Sequence, residues 1–138
     1  MKFLGLDLGS RTCGIAISDA LGMFARTYDT LRFEEDDYLY AANKIKEICI
    51  KENVKEIVLG YPKHMNGDVG NRALISENFK KMLETNTDLK VYFWDERLTT
   101  VSASKAMITG NVNKFKRREK KDEVAAQIIL QDYLDCKK

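Results

Sequence analysis

The stretch Leu4-Gly-Leu-Asp-Leu-Gly-Ser-Arg-Thr-Cys-Gly-Ile-Ala-Ile-Ser-Asp19 decides the architecture. Lys2 to Leu8 is a short apolar run closed by Gly9-Ser10, which predicts a strand followed by a turn. Cys13 to Ser18 follows closely enough to be its hairpin partner, and Met23 to Leu31, with Phe24, Thr27 and Tyr28, supplies a third, antiparallel strand. The chain therefore opens on a β-meander.

Beyond it the hydrophobic period changes. From Tyr38 to Asn53 the residues Ala41, Ile45, Ile48 and Cys49 share one helical face, with Lys44, Lys46, Glu47 and Lys51 mostly elsewhere. Glu56-Ile-Val-Leu-Gly60 is a compact apolar run that suits a buried parallel strand. Ile75, Phe79, Met82 and Leu83 mark an amphipathic helix, and Val91-Tyr-Phe-Trp94 another buried strand. A helix from about Thr100 to Thr109 stops at Gly110, and Ala125, Ala126, Ile129, Leu130 and Tyr133 give a last one. The order β-β-β-α-β-α-β-α-α describes an α/β fold: a mixed five-stranded sheet, β-meander first and parallel α/β crossovers after, flanked by helices.

At 138 residues the chain has room for a single domain with a real core. Its 44% hydrophobic and 32% charged residues are those of an ordinary soluble globule. No apolar run approaches the roughly 20 residues of a membrane span, and Met1 to Leu8 lacks the layout of a secretory signal, so a cytoplasmic protein is expected. Three scattered cysteines, Cys13, Cys49 and Cys136, read as free thiols. With His64 as the only histidine, any chemistry must run on carboxylates, hydroxyls, lysines or bound cofactors.

A net charge of +2 does not announce a nucleic-acid binder, but its distribution is uneven. Lys114, Lys116, Arg117, Arg118, Lys120 and Lys121 crowd a loosely structured segment near 111–121 against the single acid Glu119. Such a patch can hold phosphates, although a solvated charge run has the same appearance.

Parallel strands bring their C-terminal ends to one edge of a sheet, where sites commonly form. Asp7 lies near the end of the first strand, Asp95-Glu96 at the end of the last, and Asp122 at the start of the final helix. With the Gly60 strand between the other two, Asp7 and Asp95 stand roughly 10 Å apart, two strand spacings. Gly60 has no side chain to fill that gap. Clustered carboxylates need a compensating charge, and one or two hard cations, Mg²⁺ or Mn²⁺, would provide it. Taken singly, each acid also has an ordinary role. Asp7 can cap a turn, Asp95 or Glu96 can pair with Arg97, and Asp122 can be an N-cap.

Four motifs in order carry a resemblance that runs nearly end to end. They are the opening hairpin Leu4 to Asp19, Gly60-Tyr-Pro with Met65-Asn-Gly67, Asp95-Glu-Arg-Leu-Thr-Thr100, and Asp122-Glu-Val-Ala-Ala126. Together they resemble the YqgF-type family of the RNase H-like superfamily, the Holliday-junction-resolvase-like or pre-16S rRNA nucleases. The resemblance implies an RNase H-like sheet and a metal-dependent endonuclease with Asp7, Glu96 and Asp122 as metal-binding, catalytic carboxylates. Asp95 ranks below Glu96, since adjacent strand residues point to opposite faces. Ser10, Arg11, Arg97 and the basic run Lys114 to Lys121 would contact nucleic acid, with Thr99 and Thr100 as weaker candidates. His64 stands where the family carries an asparagine, and the Gly60 strand lacks the terminal acid of better-known RNase H-like nucleases.

The substrate implied is precursor rRNA, with branched DNA as the alternative, acted on by a monomer or weak homodimer. Two other classes compete. The Gly5-Leu-Asp-Leu-Gly9 hairpin also suits actin-like ATPases and sugar kinases, which need two such domains to close on ATP. A non-catalytic RNA-binding factor would keep the acids for structure alone.

Overall fold

The computed structural model describes residues 1–61, 67–95 and 121–137. Along the chain these form β1 (Lys2–Leu8), β2 (Thr12–Ser18), β3 (Ala25–Arg32), α1 (Tyr38–Glu52), β4 (Val54–Tyr61), α2 (Gly67–Thr87), β5 (Lys90–Asp95) and α3 (Lys121–Lys137). The strands make one sheet in the order β3-β2-β1-β4-β5. β1 pairs antiparallel with β2, and β2 with β3. β4 runs parallel to both β1 and β5. The mixed sheet expected from the sequence is present, with β4 between β1 and β5.

Boundaries moved for local reasons. β3 starts at Ala25 rather than Met23 because the preceding residues close the turn. The Met23 amide donates to Asp19 Oδ1 at 2.8 Å, and the Asp19 amide donates to the Phe24 carbonyl at 3.0 Å. α1 begins where Asp37 accepts from the Tyr40 amide at 3.3 Å, an N-cap bond. It ends at Asn53, whose left-handed backbone (φ 58°) turns its amide onto the Cys49 and Ile50 carbonyls. α2 is longer than its apolar marks, which run only from Ile75 to Leu83. The helix expected near Thr100–Thr109 lies outside the described residues.

Strand alternation divides the core between two faces. Leu4, Leu6 and Leu8 of β1 and Cys13, Ile15 and Ile17 of β2 meet Ala41, Ala42, Ile45 and Cys49 of α1 and Phe79 and Leu83 of α2. On the opposite face Phe3, Ala16 and Val58 meet Ala126, Ile129, Leu130 and Leu134 of α3. α3 lies close because β1 presents Gly5 to it. A Cβ there would stand 2.6 Å from Leu130 Cβ and 2.9 Å from the Ala126 carbonyl oxygen. Among the described residues, no helix is long and apolar enough to cross a membrane.

The thiols separate by position. Cys13 and Cys49 are buried and Cys136 is exposed. Burial pushes the Cys49 thiol up to about 12, far from the thiolate that reacts. In native protein at pH 8, a thiol reagent is expected to label Cys136 at once and the other two only on unfolding. Rapid labelling of a second cysteine would show that the α1 core opens.

Candidate active site

Phe3, Gly5 and Asp7 share one face of β1, by the period of two. Phe3 touches the Tyr133 ring (6.1 Å between centroids), and Gly5 abuts Leu130 and Ala126. Asp7 is the next residue in that row and is half-buried on the α3 side. Since Phe3 meets Tyr133 and Gly5 meets Ala126, α3 runs opposite to β1. From Gly5 to Asp7 the strand advances about 6.6 Å, and from Ala126 back to Asp122 the helix retreats about 6 Å. The two aspartate positions, 115 residues apart in the chain (122 − 7), therefore reach the same level at the same edge.

The neighbours of Asp7 in the sheet are small. Asp7 pairs with Gly14 on β2. On the other side Leu6 pairs with Leu59, so the register one step on sets Gly60 beside Asp7. Gly60 in turn pairs with Trp94 of β5. The two glycines that flank Asp7 put no side chain of their own beside its carboxylate. Trp94 belongs to the α3-side core, and its buried indole Nε1 has no hydrogen-bond partner among the described residues.

The remaining predicted residues distribute unevenly. Asp95 is the last residue of β5 and pairs with Tyr61, so its backbone is at this edge. Asp122 is the second residue of α3, and Lys121 the first. Ser10 and Arg11 sit in the β1–β2 turn, closed by a 2.7 Å bond from the Gly9 amide to the Thr12 carbonyl. Both are exposed at the same edge. The Arg11 guanidinium is engaged with Glu35 at 3.2 Å, an open surface pair that is cheap to break in favour of a phosphate. Glu96, Arg97, Thr99, Thr100, His64 and the basic residues Lys114, Lys116, Arg117, Arg118 and Lys120 lie outside the described residues. Among the described residues, no three metal-ligating side chains form a cluster.

One residue at the edge escaped sequence reasoning. Glu123 follows Asp122, and its Oε1 accepts from Thr30 Oγ1 on β3 at 3.1 Å. Thr30 pairs with Gly14, which pairs with Asp7, so the bond lies in the aspartate's own row. The spacing of Glu123, Gln127 and Gln131 marks a polar stripe on the helix, but nothing in the sequence says that β3 receives it.

The model of the RuvX family, described as Holliday junction resolvase, matches residues 1–136. The chain belongs to the RuvX family. A Geobacillus sp. (strain WCH70) protein named "Putative pre-16S rRNA nuclease" is 45% identical over 137 residues, 99% of each chain. A Bacillus subtilis (strain 168) protein of the same name is 44% identical over 135 residues, 98% of each. Among solved structures, T. thermophilus RuvC in complex with a Holliday junction substrate superposes with a TM-score of 0.62 at 10% identity. That match covers 94% of this chain and 91% of the other and, at such low identity, speaks for the fold. The mixed sheet with helices on both faces is thus the RNase H-like arrangement of RuvC-type resolvases. RuvX membership also carries the reaction class, hydrolysis of phosphodiester bonds.

Proposed function

We propose that this RuvX protein is a metal-dependent endonuclease that processes the 5′ end of pre-16S rRNA during ribosome biogenesis. The observation that carries the reading is the common level of Asp7 on β1 and position 122 on α3, with Gly14 and Gly60 as the strand neighbours of Asp7. The names of relatives matched over nearly their whole length support the substrate.

The residues suit a hard cation. Carboxylate oxygens are the donors that Mg²⁺ and Mn²⁺ prefer, and Mg²⁺ takes only one or two of them along with water and phosphate. Asp7, Asp122 and Glu96 would hold the ions. Of the two adjacent acids, the resemblance in the Asp95–Thr100 motif favours Glu96 over Asp95. One or two ions held there supply Lewis-acid activation of the attacking water and stabilisation of the leaving oxygen. The first turn of α3 favours a carboxylate at position 122 through its dipole. Ser10 and Arg11 border the entrance, where Arg11 exchanges Glu35 for a backbone phosphate. Arg97 and the run Lys114 to Lys121 supply further positive charge for the phosphates.

The deciding experiment is cleavage of precursor 16S rRNA and of a four-way DNA junction, each with Mg²⁺, with Mn²⁺ and with a chelator. Metal-dependent cutting of the precursor supports the reading. Cutting of the junction alone would support the second reading, a resolvase of branched DNA, which the family description and the RuvC likeness favour. Binding without cleavage at either metal would leave a non-catalytic RNA-binding factor.

The basic run makes a separate prediction. Every phosphate that the protein no longer neutralises reduces the slope of log affinity against log salt by about one. Arg117→Gln combined with Arg118→Gln is therefore expected to lower that slope by about two in filter-binding titrations. An unchanged slope would remove the run from the interface.

A further inference from the structure

The polar side of α3 is laid along β3 as a seam. The Ala25 amide donates to Gln131 Oε1 at 2.8 Å, and Gln131 Nε2 donates to the Met23 carbonyl at 3.1 Å. Gln127 Nε2 donates to the Ala25 carbonyl at 3.1 Å. Glu123, one turn further toward the start of α3, accepts from Thr30. These residues recur every four positions, so one stripe of the helix meets one edge strand. The apolar stripe, with Ala126, Ile129 and Leu130, presses α3 onto the sheet, yet apolar packing is non-directional and tolerates sliding along the helix axis. Directional bonds do not.

We infer that the Thr30–Glu123 hydrogen bond is a positioning interaction that fixes the first turn of α3, and with it Asp122, at the level of Asp7. Two observations converge on it. Thr30, Gly14 and Asp7 are consecutive partners in one row across β3, β2 and β1. Glu123 is the residue after Asp122, at the helix end where the ladder leaves the terminal amides without intrahelical partners. Among the described residues, the seam's other bonds lie at least one turn away, at Gln127 and Gln131. Thr30 and Glu123 act through Asp122 and are positioning residues, not catalytic ones. The inference rests on the metal-site reading above.

Thr30→Val tests it. Valine matches threonine in shape and suits a strand, so the fold is not at risk. Glu123→Gln keeps an acceptor oxygen for Thr30 but removes the charge, and Thr30→Ser restores the hydroxyl. Removing a residue that supports a metal ligand typically costs about 10-fold or more in metal affinity or activity. Thr30→Val is therefore expected to weaken Mn²⁺ binding, read by electron paramagnetic resonance, about 10-fold, and Glu123→Gln to weaken it less. The value of kcat should fall comparably while KM for the nucleic acid is unchanged, and Thr30→Ser should behave as wild type. Wild-type Mn²⁺ binding and kcat in Thr30→Val would overturn the inference. So would a Glu123→Gln loss far exceeding that of Thr30→Val, since Glu123 would then act at the ion directly. Asp7→Asn serves as the control. If it kept full Mn²⁺ binding and cleavage, the metal-site reading itself would fail, independently of the seam.

Discussion

Asp7→Asn is expected to lower metal-dependent cleavage by more than about 100-fold, beyond the upper figure typical for residues that only support a metal ligand. The substitution preserves shape and one carbonyl oxygen but removes the negative charge. A hard divalent cation at this edge loses a charged donor, and the uncharged amide cannot offset it. Binding of nucleic acid should survive if, as proposed, Arg11, Arg97 and the basic run hold the phosphates. The fold should be retained, since asparagine matches aspartate in size and shape. Single-turnover cleavage with Mg²⁺, together with a thermal melt, checks both statements. Retention of a tenth or more of wild-type cleavage would remove Asp7 from the site.

The second large effect concerns Gly5, two residues from Asp7 on the same face. Gly5→Val places a Cβ where Leu130 Cβ is 2.6 Å away and the Ala126 carbonyl oxygen 2.9 Å away. The carbonyl belongs to the helix backbone and cannot rotate aside as a side chain would. α3 must therefore lift from β1. Overpacking of this kind costs about 1–3 kcal/mol, occasionally more. The lift also separates the start of α3 from Asp7, so activity should fall further than stability explains. The check is denaturant unfolding alongside cleavage under conditions where the variant is fully folded. A folded Gly5→Val protein with wild-type activity would mean that α3 does not set the site.

Much of this fold can be read from local pattern. The alternation in Lys2–Leu8 and Thr12–Ser18 is dictated by a two-sided sheet, and the meander follows from the shortness of the Gly9–Arg11 turn. The apolar run of β4 reflects burial on both faces. Ends were harder to read, because they depend on single bonds such as Asp19 to Met23 or the left-handed Asn53. The candidate site was legible for a different reason. Carboxylates at the C-terminal ends of parallel strands share one edge whatever the packing details.

By itself, the sequence determined the strand and helix types, their order, and Asp7 as a candidate at the end of β1, because periodicity and turn chemistry are local. Packing decided the rest. Only the tertiary structure shows that α3 runs opposite to β1, brings position 122 level with Asp7, and is held there along β3 by Glu123, Gln127 and Gln131. The physical reason is that helix docking depends on residues about 100 positions apart in the chain meeting in space, on the room that Gly5 leaves and on hydrogen bonds whose partners no local pattern names.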